Sequence, residues 1–195
     1  MLHTIDTVLF DLDGTLTAPV IDFADMKVKL GLPPTTGFLI HAISHLPADE
    51  RAAKEATILR EEINYARRAR PNRGTKELVD WLHGRGIKTA IVTRNHPEPV
   101  EITLGVLGLR FDVILHRNSG MPTKPAPDAV VEALRRLGRA ASRALMVGDY
   151  VDDITSGRAA GTRTCYVTNG AARDQGGADL VVEHPEELLR LFQRA

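Results

Sequence analysis

The sequence has little of several features that mark particular protein classes. It contains one cysteine, Cys165, in 195 residues, which excludes an intramolecular disulfide framework and a zinc site built on several cysteines. Its longest uncharged stretch, residues 30–48, is broken by prolines and glycine and does not predict a membrane-spanning helix. The first residues lack the basic and apolar regions of a secretory signal. We therefore expect a cytoplasmic protein with no membrane partner.

An excess of charge of one sign is also missing. Lys and Arg together number 25, and Asp and Glu together number 25, so no overall field favours nucleic acid or an anionic membrane. The charged run at 47–70 mixes both signs, which favours a solvated helix face over a nucleic-acid contact. Glycine-rich nucleotide loops are absent as well, since neither G-x-G-x-x-G nor a P-loop lysine motif occurs. We expect no nucleic-acid partner.

Short apolar runs alternate with helical patterns over most of the chain. The run at 7–10 is apolar and β-branched and ends abruptly at Asp11, as expected for a buried strand that leads into a turn. Further strands are predicted at 87–93, 113–115, 144–147, 164–167 and 180–182. Helices are predicted at 74–84, 98–107, 128–137, 152–160 and 185–192. This alternation predicts an α/β fold with a parallel sheet covered by helices on both faces.

Residues 18–73 interrupt the alternation. They contain helical patterns at 22–30, 37–45 and 47–70 and no convincing strand. We expect them to form a small inserted helical cap, with residues 1–17 and 74–195 forming the core. The expected hinges are the two connections of the cap, at 17–20 and 71–74.

The polar residues that follow the predicted strands are the candidate functional residues, because parallel α/β sheets bind ligands at the carboxyl ends of their strands. Each has an ordinary structural explanation on its own, such as a turn for Asp13 or a helix cap for Thr93. Together, however, several carboxylates at one sheet edge repel one another unless a cation joins them. The candidates are Asp11, Asp13, Thr93, Lys124, Asp149, Asp152 and Asp153.

Four motifs that contain these residues occur in the order FDLDGTLT, IVTRN, KPAPD and VGDYVDD. In content, order and position at strand ends they resemble the motifs of the haloacid dehalogenase superfamily, and the chain looks most like its phosphoglycolate-phosphatase-like subgroup with a small helical cap. The resemblance covers nearly the whole chain. It implies a Rossmann-like catalytic core and a phosphatase that acts on a small phosphorylated metabolite.

The resemblance also implies a role for each matched residue. Asp11 corresponds to the nucleophile that forms an aspartyl phosphate, and Asp13 corresponds to the general acid and base. Thr93 is expected to hydrogen-bond the phosphoryl group, and Lys124 to offset the charge of that group and of Asp11. The backbone N–H groups of Leu12 and Asp13 are expected to face the phosphoryl oxygens as well.

The cofactor implied is Mg²⁺, because a site made of carboxylates, waters and a substrate phosphate suits this hard, octahedral ion. Asp11, the backbone carbonyl of Asp13, and Asp149 match the ligand positions of the family. Asp153 matches its second acidic position, which usually acts through a metal-bound water. We expect Asp152 to be a charge at the start of a helix rather than a ligand.

Other polar and reactive residues are weaker candidates. Arg94 and Asn95 directly follow Thr93 and are predicted either to contact phosphate or its surroundings or to begin a helix. His41 and His45 are spaced four apart on a predicted helix, but no further zinc-binding pattern accompanies them, and a helix face of the cap is the better interpretation.

Three other functions stay open at this point. A phosphomutase would use the same four motifs. A dehalogenase would need neither an acid at Asp13 nor a metal site, so Asp13, Asp149 and Asp153 favour phosphate chemistry. A catalytically silent binding module would keep the fold without needing the intact residue set. The sequence leaves the phosphate ester and the oligomeric state open, because the cap residues that would select a leaving group follow no motif.

Overall fold

A computed structural model describes residues 2–195 and contains one parallel six-stranded sheet. Its strands are β1 (Thr7–Phe10), β2 (Lys88–Val92), β3 (Val113–Leu115), β4 (Ala144–Gly148), β5 (Arg163–Val167) and β6 (Leu180–Val182). They lie in the order β3-β2-β1-β4-β5-β6. Every strand agrees with a predicted one to within about one residue at each end. The predicted α/β fold is confirmed.

Eight α-helices within the described residues accompany the sheet. They are α1 (Phe23–Lys29), α2 (Leu39–Ile43), α3 (Ala48–Ala66), α4 (Thr75–Gly84), α5 (Pro97–Leu107), α6 (Asp128–Leu137), α7 (Val151–Ala159) and α8 (Pro185–Gln193). Successive residues of a strand point to opposite faces. Val8 and Phe10 of β1 are therefore buried under α4, α5 and α8, while Leu9 is buried on the other face against α6. None of these helices has the length and apolarity needed to cross a membrane.

Helices α1, α2 and α3 come from the segment 18–73, called the cap below, and bury an apolar cluster of their own. The cluster consists of Met26, Leu30, Leu39, Ile43 and Ile58. The two connections of the cap lie side by side, because the N–H of Ala18 donates to the carbonyl of Arg70 and that of Asn72 donates to the carbonyl of Leu16, each over 2.9 Å. The chain therefore enters and leaves the cap at adjacent positions, as expected of an insertion that could move about a hinge.

The helices of the cap are shorter than the patterns that predicted them. The pattern at 47–70 ends as a helix at Ala66, and the chain then turns toward Pro71. A proline disfavours helical backbone in the residue before it, so Pro71 accounts for the non-helical Arg70 but not for the earlier end at Ala66. Likewise α2 begins only at Leu39, because Phe38 has extended backbone. Phe38 is thereby placed at the tip of a loop rather than inside a helix.

Candidate active site

The candidate residues meet at the carboxyl end of the sheet. Phe10 pairs with Val147 in the register of β1 and β4, and the N–H of Asp11 donates to the carbonyl of Val147 over 2.9 Å. Asp11 therefore lies beside the end of β4, which Asp149 follows directly. Thr93 follows β2 in the same manner and is buried. The parallel register thus brings residues from distant parts of the sequence to one edge.

A wide turn, Leu12–Leu16, follows the β1 strand and carries the backbone around the site. Gly14 has a φ of 78°, which glycine adopts without steric cost. The side-chain amide of Asn169 donates to the Gly14 carbonyl over 2.7 Å, and that of Asn72 donates to the Thr15 carbonyl over 3.1 Å and to Asn169 Oδ1 over 2.9 Å. Two asparagines from outside the turn therefore fix its backbone.

Three carboxylates and one ammonium group form the centre of the site. Among the described residues, the side chains of Asp11, Asp149 and Asp153 form a group that could hold one metal ion. Each places one carboxylate oxygen within 4.8 Å of the other two. Lys124 Nζ lies 2.6 Å from Asp11 Oδ1 and 2.5 Å from Asp153 Oδ1. Its side chain is only 4% exposed, so this ion pair is shielded from water.

The electrostatics of this centre leave negative charge in excess. Burial and the charges of Asp11 and Asp153 raise the pKa of Asp149 well above its ordinary value. Burial also raises the pKa of Asp153, although Lys124 opposes the shift. For Lys124, burial lowers the pKa, but Asp11 and Asp153 outweigh it and the net shift is upward. One ammonium is thus paired against three close carboxylates, and an added cation would relieve their repulsion.

Asp13 lies beside this centre in a different environment. The Asn95 side-chain amide donates to Asp13 Oδ2 over 2.5 Å. Burial, followed by the negative charge of Asp11, raises the pKa of Asp13 to about 7, although the hydrogen bond from Asn95 opposes the rise. A carboxyl group with this pKa holds a proton for part of the time at neutral pH. It is therefore suited to give and take a proton.

Arg94, which directly follows Thr93, contacts two other segments of the site. Its Nε and Nη2 donate to the backbone carbonyl of Lys124 over 3.0 and 2.6 Å. Its Nη2 also pairs with Asp152, which lies in the first turn of α7 as expected. The neighbouring Asp153 instead accepts a hydrogen bond from the N–H of Tyr150 over 3.1 Å. The two adjacent aspartates are thus divided between separate partners.

The cap packs over the site, and Phe38 and Glu62 make two of its side-chain contacts with the core. The ring of Phe38 lies on the Arg94 guanidinium, 3.6 Å from its central carbon, and meets the Tyr150 ring edge to face at 5.8 Å. From α3, Glu62 accepts a hydrogen bond from Arg117 over 2.5 Å. Below the cap a cavity of about 10 Å³ remains beside Asp13. In this closed arrangement the cavity has room for about one water molecule.

Of the weaker candidates, Arg94 and Asn95 lie in the site, whereas the two histidines lie apart from it. The rings of His41 and His45 contact each other at 5.7 Å on the exposed side of α2, and neither belongs to the acidic group above. Cys165 is buried in β5 within the core, and burial raises the pKa of its thiol to about 12. Sequence reasoning did not identify Phe38, Glu62 or Asn169, and no motif or periodicity marks them.

The close approach of Asp149 to Gly14 leads to a testable prediction about stability. A Cβ atom at Gly14 would lie 2.2 Å from Asp149 Oδ2, whereas one at Gly31, which also has positive φ, would meet nothing within 4 Å. Gly31→Ala should cost about 1 kcal/mol from backbone strain alone. Gly14→Ala should cost about 2 kcal/mol more, because Asp149 must move.

Thermal unfolding of the two variants provides the measurement. For a chain of this size, 1 kcal/mol corresponds to about 2–4 °C, so Gly14→Ala should unfold about 6–12 °C below the unsubstituted protein. Equal losses in the two variants would contradict the proposed overlap with Asp149.

Comparison with known proteins agrees with this geometry. A family model described as haloacid dehalogenase-like hydrolase matches residues 5–161. The chain is 34% identical to an uncharacterized hydrolase of Saccharomyces cerevisiae, over 98% of this chain and 93% of that protein. It is 32% identical to the N-acetylmuramic acid 6-phosphate phosphatase of Pseudomonas aeruginosa, over 96% of this chain and 95% of that one.

The fold is also shared with solved structures. A hydrolase from Pseudomonas syringae superposes with a TM-score of 0.80 at 21% identity, covering 97% of this chain and 98% of that one. The four motifs predicted the family from the sequence, and the family match confirms it. The chain therefore belongs to the haloacid dehalogenase-like hydrolases.

Proposed function

We propose that this hydrolase is a Mg²⁺-dependent phosphomonoesterase that acts on a small phosphorylated metabolite through an aspartyl phosphate. The observation that carries the proposal is the buried ion pair of Lys124 with Asp11 at the edge of the acidic centre, with Asp13 alongside. It supplies positive charge where a carboxylate nucleophile and a phosphate anion would have to approach each other. The relative named for a phosphorylated sugar acid supports a phosphate ester as substrate.

In the first step, a carboxylate oxygen of Asp11 forms a bond to phosphorus while the bond between phosphorus and the leaving oxygen breaks. Asp13, with its pKa near 7, gives its proton to the leaving oxygen, so that an alcohol departs. Thr93, Lys124 and the backbone N–H groups of Leu12 and Asp13 hold the phosphoryl oxygens. The products of this step are the alcohol and phosphorylated Asp11.

In the second step, water attacks the phosphorus atom of phosphorylated Asp11. Asp13 is now a carboxylate and takes a proton from the attacking water. The bond between phosphorus and the Asp11 oxygen breaks, so inorganic phosphate leaves and the Asp11 carboxylate is restored. Asp13 thus acts first as an acid and then as a base, and no additional proton donor is needed over the cycle.

The acidic centre fits a magnesium ion. Its side-chain ligands are all oxygen atoms, their spacing within 4.8 Å is compact, and Asp149 is half-buried with unfavourable charges around it. Asp11, Asp149 and the carbonyl of Asp13 would hold the ion, with Asp153 acting through a bound water. When bound, Mg²⁺ would neutralise charge shared between Asp11 and the phosphoryl group.

The substrate requires the cap to move. The cavity beside Asp13 measures about 10 Å³, which is far below the volume of a typical ligand pocket of roughly 300–1,000 Å³. A leaving group larger than water therefore enters only when the cap, residues 18–73, swings away at its paired connections. Closure afterwards would exclude bulk water from the phosphoryl group.

The proposed function is tested by measuring phosphate release from a panel of phosphate esters in the presence of Mg²⁺, ranked by kcat/KM. We expect turnover of nitrophenyl phosphate and faster turnover of one class of small phosphorylated metabolites. A required bisphosphate activator would indicate a phosphomutase, and halide release from haloacids would indicate a dehalogenase. No turnover across the panel would indicate a binding module and would contradict the proposal.

Metal binding makes a prediction that does not depend on activity. At a Mg²⁺ concentration of 100 times the dissociation constant, binding stabilises the folded protein by about 2.7 kcal/mol, or about 5–11 °C in thermal midpoint. Asp149→Asn should lose most of this shift. Because the pKa of Asp149 is raised, its carboxylate opposes folding at neutral pH, so the metal-free variant should be more stable than the unsubstituted protein.

Asp174→Asn provides the control, since Asp174 is exposed in a loop and does not belong to the acidic group. It should keep the full response to Mg²⁺. An equal Mg²⁺ shift in the Asp149 and Asp174 variants would show that the ion binds elsewhere.

A further inference from the structure

Phe38 connects the cap to Arg94, a core residue that contacts the residues proposed to act on phosphate. Its ring covers the Arg94 guanidinium at 3.6 Å and touches the Tyr150 ring. Phe38 is nevertheless 38% exposed and lies outside the apolar cluster that holds the cap together. Its packing therefore contributes little to the fold of the cap, and its main partner is a cation of the core.

Arg94 links Phe38 to the residues at the centre of the site. Two of its N–H groups converge on one backbone carbonyl, that of Lys124. The side chain of the same residue pairs with Asp11 and Asp153. Arg94 also pairs with Asp152, which directly precedes Asp153. Its guanidinium thus holds the backbone of Lys124 and the side chain next to Asp153, the two partners of Asp11 and Lys124 in the ion pairs that the proposed function depends on.

We propose that Phe38 is a positioning residue that acts on Lys124 through Arg94. When the cap closes, the ring shields the guanidinium from water and holds its plane, which strengthens the hydrogen bonds to the Lys124 carbonyl. Lys124 is then held on Asp11 in the geometry needed for phosphoryl transfer. Closure of the cap would therefore position Lys124 on Asp11 as well as exclude water from the site. The inference rests on the proposed phosphatase function.

This role differs from substrate selection in its kinetics. The phosphoryl group is common to all esters, so loss of Lys124 positioning should lower kcat by the same factor for every substrate. A residue that lines the pocket and contacts the leaving group would instead change KM, and by different factors for different esters. A residue that only supports the fold would lower the thermal midpoint without this kinetic pattern.

The experiment compares Phe38→Leu, Phe38→Tyr and Phe23→Leu in the full chain. Phe23 is the matched control, because it is an exposed phenylalanine of the cap with no role in the site. We expect Phe38→Leu to lower kcat about three- to tenfold for nitrophenyl and alkyl phosphates alike, the size of effect that loss of one cation–π contact supports. Phe38→Tyr should restore kcat, and Phe23→Leu should leave it unchanged.

A double-mutant cycle tests transmission through Arg94. Arg94→Lys keeps the charge but loses the planar group that reaches the Lys124 carbonyl. If Phe38 acts through Arg94, Phe38→Leu should cause no further loss of kcat in the Arg94→Lys background. Losses that multiply, or that differ between esters, would overturn the proposal.

Hydrogen exchange separates this inference from the proposed function, because it needs no turnover. In the ligand-free protein, Phe38→Leu should speed exchange in peptides that cover residues 120–130, and Phe23→Leu should not. Unchanged exchange there would overturn the positioning role even in an active enzyme. Faster exchange in a protein that turns over no phosphate ester would support the coupling of cap and loop while refuting the phosphatase function.

Discussion

Asp11→Asn should abolish turnover of every phosphate ester. The amide removes the nucleophilic oxygen and with it the covalent route, and loss of a catalytic nucleophile costs on the order of 10⁴-fold or more in kcat. The variant should remain folded, because it removes one negative charge from a centre in which three carboxylates crowd together. Phosphate release under saturating substrate and Mg²⁺ measures the effect.

Asp6→Asn is the matched control for this substitution. Asp6 directly precedes the same strand, β1, and lies at its opposite end, where it pairs with Arg143 over 2.8 Å. It should change kcat by less than about twofold, since exposed ion pairs contribute little to stability. In the unsubstituted enzyme, rapid quenching should also trap one phosphoryl group on Asp11. Trapping on another residue, or substantial activity in Asp11→Asn, would refute the assigned nucleophile.

Asp13→Asn should slow the transfer of phosphate from alkyl esters to Asp11 by about 10²- to 10⁴-fold, the usual contribution of general acid catalysis. An alkoxide needs a proton as it leaves, and the raised pKa of Asp13, about 7, keeps a proton available near neutral pH. A nitrophenolate leaves with little help, so nitrophenyl phosphate should lose much less rate. The ratio between the two losses reports the acid role of Asp13.

The measurement is a rapid-quench burst on the folded, Mg²⁺-loaded variant. Steady-state rates would conceal the difference, because Asp13 should also activate the water that hydrolyses phosphorylated Asp11, and that step is common to both substrates. Equal losses of burst rate for the two esters would mean that Asp13 acts through geometry or metal binding. The acid assignment would then fail.

The sheet and the centre of the site could be predicted from sequence because both follow from local chemistry. A buried parallel strand needs a short apolar run, and six such runs stand out in this chain. Polar residues after those runs must lie at one edge of the sheet, so Lys124 could be placed near Asp11 although 113 residues separate them. The motifs then identified which of these residues to group together.

The contacts of the cap could not be predicted in the same manner. Phe38 lies inside the helical pattern predicted at 37–45, whereas the helix begins only at Leu39, so nothing in the sequence indicates that its ring lies on Arg94. Glu62 occupies one of many charged positions on α3, and only the packing of α3 on the core selects it as the partner of Arg117. These contacts depend on how the cap helices pack on the core, which residue periodicity does not describe.

The two asparagines that hold the turn after β1 have a consequence for synthesis of the chain. Asn169 bonds the carbonyl of Gly14 across 155 residues, so the backbone around Asp13 lacks one of its supports until Asn169 has been synthesised. At translation rates of about 5–20 residues per second, this interval lasts roughly 8–31 s. During it, the turn that carries Asp13 lacks the hydrogen bond from Asn169. A nascent chain stalled before residue 169 would therefore display the nucleophile without a finished site around it.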